Sequence, residues 1–422
     1  MLQVSDNKQT ILKNGEFFFF LADTVWSAFT NIKKNDWLYF LDKRKSQGFN
    51  VLQMNLMPQW DRSVADEIDL PFAVEDNFFN IEKKNEKYFE HVEEMLKIAV
   101  DKGFTPALVL LWCNYIPETW AGNIGRTPYF KKEDIKQYTR EMVNRFKKYD
   151  PIYLISGDTD FPTENVVDYY YTALEETVKI DPEALKVLHI KRGLKEIPER
   201  LLNHSGLDLY FYQSGHNTQF QDVAYNFAEY FYNKTPKKPT INSEPCYEFM
   251  GYSRNEYGRF SREDVRKVAW QSVFSGAHAG MTYGAHGIWS WHEVDSTFGS
   301  GLGEGFNPPL NWREALEFKG AEDYGYLKSF IEKEKLTDLK PNQSILVNKI
   351  DEIRIAETDN KLYIYVPVNV PIQLNGIFES TKDYAIDLEN RFEVPLKKKR
   401  LDNTTVIEMT SVIKDSIMII HK

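Results

Sequence analysis

From the N-terminus to about residue 330, short apolar runs alternate with longer stretches of helical period, and this alternation constrains the 422-residue chain more than any other feature. Antiparallel neighbours need only a tight turn, so a helix after each strand predicts parallel pairing. Strand-like runs fall at 17–21, 50–56, 105–112, 152–156, 186–190, 207–212, 239–244 and 280–283. Helical stretches fall between them at 36–47, 84–102, 133–149, 165–179, 218–233 and 262–275, and Lys102-Gly103 supplies a basic last turn and a glycine stop. Eight strands with interposed helices predict an α/β fold, a (β/α)8 TIM barrel over residues 1–335.

Beyond residue 335 the pattern changes. Runs at 344–347, 352–356, 361–366 and 416–420 are short, β-branched and separated by turn residues such as Thr358-Asp359-Asn360. They predict a small C-terminal antiparallel β-sandwich domain over residues 336–422. All nine tryptophans and both cysteines lie at or before Trp312, so composition breaks where the period does. Lys397-Lys398-Lys399-Arg400 reads as a solvated basic turn.

Composition narrows the function. With 52 Lys and Arg against 62 Asp and Glu, the net charge of −10 disfavours nucleic acid or anionic lipid as a partner. The aromatic fraction is 14%, which suits stacking on the faces of sugars as well as filling a core. No apolar run reaches membrane-spanning length and no signal-type segment is apparent, so a cytoplasmic location is expected. Cys113 and Cys246 form no metal-binding spacing, the histidines show no HxH or HExxH pattern, and no phosphate-binding glycine motif occurs. No metal or other cofactor is expected. Gly299, Gly301, Gly303 and Gly305 alternate in a segment that reads as a flexible loop over the barrel mouth.

In such barrels the chemistry sits at the C-terminal ends of the strands. Polar and aromatic residues cluster there: Asp23, Asn55, Trp112 with Asn114, Asp158, Gln213 with His216, Glu244, and His286 with Trp289 and Trp291. Asp158 and Glu244, after the fourth and seventh strands, are the candidate catalytic pair. Paired carboxylates suit glycoside hydrolysis, where one protonates the leaving oxygen and the other attacks the anomeric carbon or activates water. Asp160, Glu248 and Glu293 are rival carboxylates. A metal-dependent barrel hydrolase and a non-catalytic carbohydrate-binding protein remain open alternatives.

Five segments carry a more specific likeness: Ala22-Asp23-Thr24-Val25-Trp26, Ser156-Gly157-Asp158, Gln213-Ser214-Gly215-His216, Asn242-Ser243-Glu244-Pro245 and Gly284-Ala285-His286-Gly287-Ile288-Trp289. In this order they resemble the apiosidase-like glycoside hydrolases of family 140, whose barrel is also described as domain of unknown function 4038. The resemblance spans about residues 8–335. It implies a retaining mechanism with Asp158 as acid/base and Glu244 as nucleophile, and a sugar pocket that includes Asp23, Trp26, Gln213, His216, His286 and Trp289. The fourth-strand motif reads Ser-Gly-Asp where the family has Gly-Gly-Asp. The implied substrate is a plant-type oligosaccharide with a terminal sugar, apiose by the family's name. The C-terminal domain also resembles that of relatives described as collagen-binding, but an acidic chain with a sugar-type barrel gives no reason to expect collagen, and the domain reads as a structural or packing module.

Overall fold

The computed structural model describes residues 1–64, 70–299 and 306–422. Eight parallel strands close into a barrel: β1 (Phe20–Thr24), β2 (Val51–Asn55), β3 (Thr105–Trp112), β4 (Ile152–Thr159), β5 (Lys186–Ile190), β6 (Tyr210–Gln213), β7 (Thr240–Glu244) and β8 (Gly280–Tyr283). Helices α1 (Lys34–Ser46), α2 (Glu86–Asp101), α3 (Ile135–Phe146), α4 (Glu164–Ile180), α5 (Val223–Asn233), α6 (Arg262–Phe274) and α7 (Gly320–Lys333) lie between or after them. Only one short turn of helix, Glu199–Leu202, separates β5 from β6. The strands are buried almost throughout, as a sheet covered by helices on one face and filled by its own side chains on the other must be.

The ring closes where β8 runs beside β1, in register from Gly280 opposite Phe20 to Tyr283 opposite Asp23. Gly280 is required there, because a Cβ would lie 2.1 Å from the Phe20 carbonyl oxygen. Helix starts follow local chemistry. At α6, Ser261 Oγ accepts from the Asp264 amide while Asp264 Oδ2 accepts from the Ser261 amide, a reciprocal capping box.

Two expectations for the barrel shift. The apolar run from residue 17 serves two elements: Glu16–Phe18 joins Leu2–Val4 and Ile11–Lys13 in a three-stranded antiparallel sheet, and the barrel strand starts only at Phe20. Asp23 is thereby inside β1 instead of after it. The sixth strand likewise begins at Tyr210, three residues later than the run at 207–212 suggests. The proposed glycine loop is described only at Gly299; Gly301, Gly303 and Gly305 lie outside the described residues.

After the barrel, β9 (Arg354–Glu357), β10 (Lys361–Val366), β11 (Ile372–Asn375), β12 (Tyr384–Asp387), β13 (Glu393–Pro395), β14 (Lys398–Leu401), β15 (Thr404–Ile407) and β16 (Ser416–His421) form two antiparallel sheets. The larger runs Lys340–Pro341, β9, β10, β16, β12, β13, and the smaller runs β11, β15, β14. Residues 344–347, expected as a strand, hold a 3-10 turn at Gln343–Ile345. The basic run at 397–400 contributes to the edge strand β14, where Lys and Arg discourage pairing with another chain.

The larger sheet is buried on both faces. Tyr363, Tyr365, Ile417 and Ile419 join the barrel's hydrophobic core, while the alternate residues Leu362, Ile364, Met418 and Ile420 pack with Ile372, Leu374 and Ile407 of the smaller sheet. Charged groups join the same seam. Arg266 on α6 donates through Nε and Nη2 to both carboxylate oxygens of Asp415 (2.9 and 2.6 Å) and through Nη1 to Asp323 on α7 (3.0 Å), all three side chains being buried. Removing one partner from such a network leaves uncompensated buried charge. Arg266→Met is therefore expected to lower the unfolding free energy by about 3–5 kcal/mol. Urea denaturation followed by tryptophan fluorescence, which reports the barrel alone, checks this against far-UV circular dichroism of the whole chain.

Candidate active site

The C-terminal ends of the strands enclose a cavity of about 310 Å³ walled by Trp26, Trp60, Trp112, Trp120 and Trp289, with both Asp158 and Glu244 in its lining. Glu244 ends β7, and its carboxylate lies between two imidazoles: Oε2 is 3.0 Å from His189 Nε2 on β5, and Oε1 is 3.2 Å from His216 Nε2 after β6. A carboxylate only accepts, so both rings present Nε2–H to it. The Tyr247 hydroxyl interacts with Glu244 and accepts from Trp26 Nε1 at 3.2 Å. Burial alone pushes the Glu244 carboxyl up, but the hydrogen bonds and charge of His189 and His216 outweigh it and hold it at about 2.

Asp158 sits near the end of β4, where register shifts against β5 mark an irregular strand, and its φ of +49° lies in the left-handed region that non-glycine residues seldom adopt. Gln213 Nε2 donates to Asp158 Oδ1 at 2.9 Å and lies 3.1 Å from His189 Nε2, so one amide stands between the acid of β4 and the imidazole that holds Glu244. A register shift in the β6–β7 pairing places Gln213 directly opposite Glu244. Trp120 fixes the backbone of the motif, donating from Nε1 to the Asp158 carbonyl at 2.7 Å. Gly157 precedes Asp158 because the Trp112 ring lies against it, 2.4 Å from where a Cβ would stand. The Ser in place of the family's first Gly is accommodated: Ser156 Oγ donates to the His189 carbonyl at 3.2 Å.

The cavity thus gathers Asp158, Glu244, Trp26, Trp112, Gln213, His216 and Trp289. Five other candidates do not line it. Asp23 is fully buried and paired with Arg44, whose Nε is 2.5 Å from Asp23 Oδ2, a consequence of its place inside β1. Asn55 donates to Gln59 Oε1 at 3.1 Å. His286 stands behind Trp289, accepting from the indole N–H at Nδ1 (3.3 Å) with Nε2 2.8 Å from the Asn307 carbonyl; burial pushes its pKa down to about 3, so it is a neutral support for that ring. Trp291 stacks on Trp312 with centroids 4.3 Å apart, away from the cavity. Asn114 is also buried, donating to Thr127 Oγ1 at 3.0 Å.

The rival carboxylates have structural partners. Glu248 accepts from the Tyr283 hydroxyl at 2.6 Å and the Gly320 amide at 2.8 Å, and Asp160 accepts from the Trp120 amide at 3.0 Å and pairs with Lys191 at 3.1 Å. Glu293 does not line the cavity. Sequence reading missed His189, Tyr247, Trp60, Trp120 and Asp61. The one signal for His189 was an imidazole in the middle of an otherwise aliphatic strand, Lys186–Ile190. Among the described residues, no group of three or more His, Cys, Asp or Glu is placed to hold a metal ion, and no helix is long and apolar enough to cross a membrane.

Two carboxylates, Asp158 and Glu244, lining one tryptophan-walled cavity at the mouth of a (β/α)8 barrel are the groups that glycoside hydrolysis uses. Residues 5–338 match the family described as "Apiosidase-like, catalytic domain", and the chain belongs to that family of glycosidases. Solved structures agree in fold. A glycoside hydrolase family 5 protein from Bacteroides vulgatus is 22% identical, with 100% of this chain and 93% of that one covered and a TM-score of 0.80. A protein described as a glycoside hydrolase is 21% identical over 100% and 96% of the two chains, with a TM-score of 0.79. An endo-1,4-β-D-mannanase from Thermotoga petrophila shares the fold more distantly, 12% identical over 74% of this chain and 100% of that one, with a TM-score of 0.51. No curated protein sequence matches the chain significantly.

The electrostatics of Glu244 can be read from stability. Its folded pKa lies below the ordinary 4.5, so its contribution is fully present above pH 4.5 and is lost as pH falls towards 2. The difference in unfolding free energy between wild type and Glu244→Gln, measured by urea denaturation from pH 2.5 to 6, is therefore expected to change over that window and to be flat above it.

Proposed function

We propose that the chain is a retaining glycoside hydrolase that removes a terminal sugar from plant-type oligosaccharides, with Glu244 as nucleophile and Asp158 as acid/base. Residues 1–335 act as the catalytic unit in this reading, and residues 336–422 as a structural one. Apiose is the sugar that this reading names, after the description of the family. The observation that carries the assignment of roles is the pair of imidazoles on Glu244. A carboxyl held near a pKa of 2 is a poor proton donor but is ionised at every working pH, which suits attack and not protonation. The proton then falls to Asp158 on the same cavity.

In the first step Asp158 delivers its proton to the glycosidic oxygen as a Glu244 oxygen bonds to the anomeric carbon, and the aglycone leaves as an alcohol. In the second, Asp158 takes a proton from water as the water oxygen displaces Glu244, releasing the sugar with its anomeric configuration kept. Gln213, bonded to Asp158 and close to His189, orients the acid without sharing its proton. The tryptophan walls offer apolar faces to the C–H faces of a sugar ring.

Sugar release by wild type, Glu244→Gln and Asp158→Asn from oligosaccharides and aryl glycosides, including apiosides, arabinosides, galactosides and rhamnosides, tests this. Glu244→Gln is expected to fall to background while folded. Asp158→Asn is expected to lose about 10²–10⁴-fold on natural linkages and far less on aryl glycosides with good leaving groups. Equal losses on both substrate types would overturn the acid/base assignment, and no release by wild type would favour a binding protein.

A further inference from the structure

Asp61 takes no part in the scheme above, yet it lines the same cavity as Asp158 and Glu244. It lies on the segment after β2, which is fixed from both sides. Asn55 at the end of β2 bonds to Gln59, and Gln59 donates from Nε2 to Asp61 Oδ1 at 2.8 Å. Two residues further on, Ser63–Val64 pairs antiparallel with Thr297–Phe298, so the loop after β8 clamps the segment over the mouth. Ser63 is held again through its hydroxyl, 2.9 Å from His292 Nδ1. A carboxylate can accept about four hydrogen bonds. The Gln59 amide supplies one, which leaves capacity for a ligand.

The charged surroundings are unusual for a structural acid. Glu244 acts on Asp61 with like charge and Arg62 with opposite charge. Asp158, His216, Tyr247, Lys191, Arg192 and Arg254 complete the ionisable lining of the cavity. Burial, with the Glu244 charge adding to it, pushes the Asp61 carboxyl up to about 6 against the opposing Gln59 hydrogen bond. Placing a second carboxylate near an ionised one destabilises the fold, and an asparagine would satisfy Gln59 equally well. The acid is explained by a ligand that needs a strong acceptor.

We propose that Asp61 is a substrate-binding residue, a third carboxylate of the site that accepts a hydrogen bond from a hydroxyl of the sugar seated at Glu244 and so selects glycones that carry that hydroxyl. The inference rests on the glycosidase reading. Gln59 is its positioning residue, and Asn55 positions Gln59. Because the acceptor is the ionised form, kcat/KM of wild type rises with pH through about 6 as Asp61 loses its proton.

The test compares wild type, Asp61→Asn and Gln59→Leu on a cleaved aryl glycoside and on its set of monodeoxy analogues, with tryptophan fluorescence of Glu244→Gln reporting sugar binding. A hydrogen bond to a charged group is worth about 1.5–3 kcal/mol, so Asp61→Asn is expected to lose about 10- to 100-fold in kcat/KM on the parent glycoside. On one deoxy analogue it is expected to match wild type, and the limb near pH 6 is expected to vanish. Gln59→Leu, which keeps the acid but frees it, should lose less, and it serves if Asp61→Asn fails to fold. Unchanged kcat/KM in Asp61→Asn, or an equal loss on the parent and every analogue, would overturn the inference alone. No turnover by wild type together with no sugar-induced fluorescence change in Glu244→Gln would remove the glycosidase reading, and this inference with it.

Discussion

The pairing of β8 with β1 is the constraint on which the rest of this molecule depends. Once Gly280 lets the two backbones run side by side, the ring is closed and the direction of every strand end is set. Asp158, His189, Gln213 and Glu244 then come from four consecutive staves, β4 to β7, and need no long loop to meet. The irregularities sit where the chemistry does. Register shifts occur beside Asp158 and at Gln213, and Asp158 holds a left-handed backbone that regular pairing would not give it.

The cavity keeps its carboxylates in different states by giving them different neighbours. Glu244 faces two imidazoles and a tyrosine hydroxyl, and stays ionised. Asp61, half-buried with a single side-chain amide and facing the Glu244 charge, holds its proton to about pH 6. Two carboxyl groups on one cavity thus differ in protonation because their neighbours differ.

Much of the barrel was legible from periodicity, because a buried parallel strand must be apolar and the helix after it must be amphipathic. The runs at 105–112, 186–190 and 280–283 coincide with the strands themselves. The apolar run from Phe17 misled because one hydrophobic stretch serves two elements, and nothing in its composition marks the change of direction at Phe19. Position after a strand brought Asp158, Glu244, Gln213 and His216 together, but it also named Asp23 and Trp291, which pair inside the protein, and His286, which stands behind Trp289. Asp61, Trp60 and Trp120 come from connecting segments whose path over the mouth is set by contacts distant in sequence, so no local pattern announces them.

The larger C-terminal sheet presents one set of alternating side chains to the barrel and the other to the smaller sheet, and Asp415, just before β16, grips the helix that connects β7 to β8. A module joined in this way is not a cassette. Recombination that replaced it with another β-domain would have to bring matching apolar residues at every second position and an acid for Arg266. The two parts of the gene are thereby bound to change together, residue against residue.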